Sequence, residues 1–130
     1  MNEKLSILTE LIKLARIDKD CRDAEYEFLS TIARMLQVQQ SDLDKLFNEY
    51  IEFTPPNREV NRITQFHRMI LLTHVDFHVK SDELDYMRNA GLRLGLHPNA
   101  IEAVFEEMDK HEYGMIPADV LIKIFQVNHN

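Results

Sequence analysis

Apolar residues recur along this chain at spacings of three and four, the period of an α-helix, almost from end to end. Leu5, Leu8, Leu11, Ile12 and Ala15 predict a first amphipathic helix closing near Ile17. Asp23 is placed to N-cap a second, with Phe28, Leu29, Ile32, Met35 and Leu36 on its inner face. Ser41 is placed to cap a third, whose stripe of Leu43, Leu46, Phe47, Tyr50 and Ile51 should run until Thr54-Pro55-Pro56 stops it. The fourth helix is expected over about 59–75. There Val60, Ile63, Phe66, Met69, Ile70, Leu71 and Leu72 cover so much of the circumference that it should be central. A fifth begins at Ser81 or Asp82, a sixth at Pro98 in the first helical position, and a short seventh at Pro117. No stretch alternates at period two for long enough to predict a strand.

The pattern repeats. Sliding residues 11–47 onto 69–105 by 58 positions brings Ile12 onto Ile70, Leu14 onto Leu72 and Asp18 onto Asp76. The same shift brings Glu25 onto Glu83, Leu36 onto Leu94 and Phe47 onto Phe105. The expectation is an all-α protein, a compact bundle of about seven helices built from two copies of a helix–loop–helix unit. The copies should span about 5–53 and 59–127, joined by a linker at 54–58, within a single domain covering 1–130.

Length and composition narrow the function classes. With 130 residues, 45% apolar and 28% charged, the chain describes an ordinary globular domain. Its net charge of −7 repels phosphate backbones, so nucleic acid is not the expected partner unless a basic patch is concealed. A single cysteine, Cys21, excludes an internal disulfide and fits a reducing cytoplasm. Glu10 and Lys13 interrupt the apolar N-terminal stretch, so no secretory core survives there. No 18-residue apolar run exists, which argues against membrane insertion.

Two of the six repeated identities are carboxylates. Glu25 and Glu83 fall in the first turn of their helices, where the helix dipole favours a negative charge. Asp18 and Asp76 are expected at the C-terminal end of the preceding helix, where the dipole disfavours an anion. A divalent cation such as Mg²⁺ or Ca²⁺, shared between Asp18 and Glu25 and between Asp76 and Glu83, would compensate. Asx-type turns capping each loop would do so too, and both readings are open.

The string Leu11-Ile12-Lys13-Leu14-Ala15-Arg16-Ile17-Asp18, followed by Glu25 and Leu29-Ser30-Thr31-Ile32-Ala33, resembles the opening of a TerB-like (tellurite-resistance protein B) domain. Residues 69–105 resemble the same pattern again. Lys19 and Phe77 stand where that family commonly has glycine. The resemblance covers about residues 5 to 125. It implies an all-helical duplication acting as a cytoplasmic, stress-associated bacterial module without an established reaction, whose acidic residues contact metal ions.

Other candidates carry less. Asp109 to Ile116 resembles an EF-hand loop, but His111, Tyr113 and Val120 replace oxygen ligands, so a glycine-centred turn is expected. His74, Asp76 and His78 form an H-x-D-x-H cluster at a helix end. His67 and His74 fall on the apolar stripe, as hydrogen-bonded core histidines do. Cys21 sits beside Arg22 without a positioned histidine. Glu102, Glu106, Glu107, Asp109 and Glu112 form an acidic run, a solvated face or an attraction for a basic partner. Neither a phosphate loop nor a nucleophile elbow nor an H-E-x-x-H motif is present, and paired carboxylates alone make a poor case for an enzyme. The expected activity is therefore non-enzymatic: a binding or scaffolding module with a protein partner, basic by charge, and with homodimerisation open. The alternative is an interaction adaptor whose acids are purely structural caps.

Overall fold

The computed structural model describes residues 2–17, 23–74 and 81–128. Seven α-helices span Asn2–Ala15 (α1), Asp23–Met35 (α2), Gln40–Leu46 (α3), Glu59–Thr73 (α4), Ser81–Arg93 (α5), Pro98–Met108 (α6) and Ala118–Val127 (α7). A 3-10 turn, Glu112–Gly114, joins α6 to α7, and there is no strand among the described residues. The expected all-α bundle is what the chain forms.

α1 is the hub, packing against α2, α3, α4 and α5. Every residue from Ser6 to Ile12 is buried, together with Leu14 and Ala15. Around it lie Leu29 of α2, Leu43 of α3, Phe66, Met69, Ile70 and Leu72 of α4, and Met87 of α5, all nearly inaccessible to water. Burying side chains of this size stabilises each site by roughly 1.5–3 kcal/mol before conformational entropy is counted. α4 is the second central helix, as its wide apolar surface predicts, although Val60 at its start is exposed. α6 bridges α5 and α7.

Several polar contacts tie the halves to α1. Gln65 on α4 donates from Nε2 to the Ile7 carbonyl at 3.2 Å. The chain after α3 runs along α1, where the Ile51 N–H reaches Thr9 Oγ1 at 3.2 Å and the Thr54 N–H reaches Ser6 Oγ at 3.1 Å. Here the expected helix is too long. α3 starts one residue before Ser41, with Gln39 as N-cap, and stops at Leu46. Tyr50 and Ile51 continue its apolar spacing outside the helix, because α1 side chains take the backbone bonds that a helix would have used. Met35, expected inside, ends α2 and is 66% exposed, and Met115 is also exposed.

α2 and α5 end alike. Leu36 N–H bonds the Ile32 carbonyl at 2.9 Å and Val38 N–H the Ala33 carbonyl at 2.8 Å. Leu94 N–H bonds the Ala90 carbonyl at 2.9 Å and Leu96 N–H the Gly91 carbonyl at 3.0 Å. The residue between is left-handed in both, Gln37 at φ 61° and Gly95 at φ 83°, the geometry of a Schellman stop. The next helices start alike too, from Gln39 (φ −68°, ψ 150°) and His97 (φ −67°, ψ 133°), with Pro98 at the first position of α6.

Candidate functional site

Asp18 and Asp76, with Cys21 and His78, lie outside the described residues. Their intended partners do not. Glu25 and Glu83 occupy the first turns of α2 and α5, and each is only 6% exposed. A carboxylate serving the helix dipole alone would sit in water, where it keeps its hydration; burial costs several kcal/mol unless the charge is engaged. Each of these residues has an interaction partner. Among the described residues, no group of three or more His, Cys, Asp or Glu side chains gathers as a metal site would.

The most elaborate polar cluster is one the sequence did not announce. Glu10, on α1, is 2% exposed, and its Oε1 lies 2.9 Å from Arg93 Nη2 of α5. Tyr86 of α5 donates its hydroxyl to the same oxygen at 3.3 Å, and Lys13 Nζ stands 3.6 Å from Oε2. Oε2 accepts no hydrogen bond from the described residues. Burial, with the negative charge of Glu10, pushes the Tyr86 phenol up to about 12. The cations rest on rings. Arg93 lies 5.6 Å from the Tyr86 ring centre and 6.0 Å from that of Phe53, and Lys13 lies 5.2 Å from that of Tyr50. Arg16, one turn beyond Lys13, stacks 5.8 Å from the Phe47 ring centre while its Nη1 donates to the Phe47 carbonyl at 2.7 Å. Sequence reasoning used Glu10 only to reject a secretory signal. Its position among Leu8, Leu11, Ile12 and Leu14 did not separate it, by sequence alone, from the wet side of an amphipathic helix.

His67 and His74 are hydrogen-bonded, as expected of histidines on the apolar stripe. His67 Nε2 lies 3.3 Å from the Gly114 carbonyl oxygen, and burial lowers its pKa from the ordinary histidine value. His74 Nδ1 lies 2.8 Å from the Ile70 carbonyl oxygen. Gly114 has φ 67°, and a Cβ there would fall 2.8 Å from His74 Nδ1, so the EF-hand-like segment is a glycine-centred turn packed on α4. The acidic run around α6 is partly neutralised. Arg88 holds both oxygens of Glu102, at 2.6 and 3.2 Å, and lowers its pKa. His111 Nε2 lies 2.7 Å from Glu107 Oε2 and holds that carboxyl below its usual range.

An apolar groove of about 170 Å³ opens between α4 and α7, lined by Glu59, Val60, Ile63, Ile122, Phe125 and Gln126. No helix among the described residues is long and apolar enough to cross a membrane. No protein-family model, curated protein or solved structure matches the chain.

Proposed function

We propose that this chain is a non-enzymatic TerB-like binding module, built on a duplicated helical unit, that holds a divalent cation at each inter-helix loop. The carrying observation is the equal burial of Glu25 and Glu83 at matching places in α2 and α5. The like endings of those helices at Gln37 and Gly95 support the duplication. In this reading Asp18 and Glu25 share one Mg²⁺ or Ca²⁺, and Asp76 and Glu83 the other. The cation compensates the aspartates at the C-terminal helix ends and fixes each loop. A cytoplasmic role in tellurite or general stress response is what the family resemblance adds.

A thermal scan with and without millimolar Mg²⁺ or Ca²⁺ tests the reading. A cation that binds only the folded state, present at about 10 times its Kd, adds roughly 1.4 kcal/mol per site, which is about 4–7 °C for a chain of this length. Asp18→Asn combined with Asp76→Asn should remove that rise and leave the metal-free midpoint equal or higher. Absence of any cation-dependent rise in the wild type refutes the ligand role. A second reading, an adaptor with structural acids, is favoured by the α4–α7 groove, where Val60 and Ile122 stand exposed beside the lining of Ile63 and Phe125.

A further inference from the structure

We infer that α7, with the groove between it and α4, is a self-association face on which a second copy of this chain docks antiparallel. The inference concerns the groove that favours the adaptor reading and is independent of the cation sites.

α7 is more apolar than its surroundings account for. Six of its ten residues, Val120, Leu121, Ile122, Ile124, Phe125 and Val127, are apolar, yet only Leu121 and Phe125 are buried. A helix apolar over most of its circumference is normally enclosed. Here α6 covers one side. The other side opens on the groove, where Ile122 is 43% exposed and Val60 47%. Val127, at the end of the helix, extends the uncovered surface.

The charges say which partner fits. Molecules of net −7 repel one another over most of their surface. This face is balanced: Arg58 and Glu59 at the start of α4 carry opposite signs, as do Asp119 and Lys123 on α7, and all four are exposed. Asp119 and Lys123 lie one turn apart beside Ile122, and neither side chain is spent on a neighbour among the described residues. Opposite charges so placed on one helix are complementary to themselves. When two α7 helices lie antiparallel about a two-fold axis near Ile122, Asp119 of each copy stands opposite Lys123 of the other. The two Ile122 side chains then meet beside those pairs. A parallel arrangement would oppose Asp119 to Asp119, and a uniformly acidic or basic partner would meet a like charge. Ten helical residues span about 15 Å. The contact therefore stays below the ~1,200 Å² of a standard interface, and the dimer is weak, with a Kd on the order of 100 µM.

The test is sedimentation velocity of the full chain from about 10 to about 500 µM. The wild type should pass from monomer to dimer across that range. Ile122→Ser should stay monomeric with an unchanged far-ultraviolet circular dichroism spectrum. Asp119→Lys and Lys123→Asp, at exposed positions that leave the core alone, should each weaken association about tenfold or more by opposing like charges. An equimolar mixture of these two variants should dimerise about as well as the wild type, because each supplies the charges the other lacks. Single charge variants that dimerise like the wild type, or a mixture no better than its components, overturn the proposal. A wild type that stays monomeric overturns it too; if nuclear magnetic resonance then shows an amphipathic helical peptide of leucine, glutamate and lysine shifting the signals of Val60 and Ile122, the adaptor reading keeps the groove.

Discussion

Arg93→Met should destabilise the protein far more than Glu10→Met, although both break the same ion pair. The asymmetry follows from exposure. Arg93 is 46% exposed, so a guanidinium that loses its partner is hydrated where it stands. Glu10 is 2% exposed, with only the Tyr86 hydroxyl at 3.3 Å and Lys13 at 3.6 Å to replace Arg93. Removing one partner of a buried pair costs about 3–5 kcal/mol, because the remaining charge is left in a low dielectric. Lys13 offsets part of this, which places Arg93→Met near 3 kcal/mol, or about 9–15 °C in Tm. Glu10→Met removes the buried charge and adds an apolar chain of similar length, so its cost should stay below about 1 kcal/mol. The double variant should match Glu10→Met, giving a coupling of roughly 2–3 kcal/mol. Guanidinium unfolding of the four proteins, followed by circular dichroism, measures all three differences. Equal single-variant costs, or a double variant equal to their sum, would refute the reasoning.

Three further outcomes are expected. Gly114→Ala forces an alanine to φ 67° and sets its Cβ 2.8 Å from His74, so it should lower stability by about 1–3 kcal/mol in the same unfolding assay. Leu94→Ala, at a site 1% exposed, should cost about 2–5 kcal/mol, while Leu36→Ala at the matching but half-buried position should cost clearly less; equal losses would contradict the observed packing. His67 has a folded-state pKa below its unfolded value near 6.5, so between the two values the unfolded chain binds more protons. Its contribution is complete above about pH 6.5 and is lost as pH falls through that window. His67→Gln should flatten the stability–pH curve there, and an unchanged slope would remove His67 as the cause.

The helices were legible because apolar spacing, Pro98 and Pro117 are local signals, and the structure starts α6 and α7 where those prolines indicate. The end of α3 was not. Tyr50 and Ile51 keep a helical spacing, and what takes the Ile51 N–H is Thr9, 42 positions away. Met35 fits the inner stripe by spacing but is the last residue of α2, where spacing alone does not fix what covers a side chain. Glu25 and Glu83 were found by their recurrence, yet their burial was not readable, since a first-turn glutamate is equally at home in water. Glu10 was missed for a related reason. A charge amid leucines reads as the wet side of an amphipathic helix, and its counter-ion lies 83 positions further along the chain.

The central position of α1 has a consequence for biosynthesis. This helix leaves the ribosome ahead of every segment that covers it, and its main partner, α4, is complete only at Thr73, 58 residues after Ala15. At about 5–20 residues per second, that leaves its apolar surface waiting roughly 3–12 s for closure. α2 and α3 shield part of it sooner, but the sides facing α4 and α5 stay open until the second half emerges. The nascent N-terminal half is therefore a natural client for a holding chaperone, and slowing translation between codons 47 and 73 should lengthen that engagement.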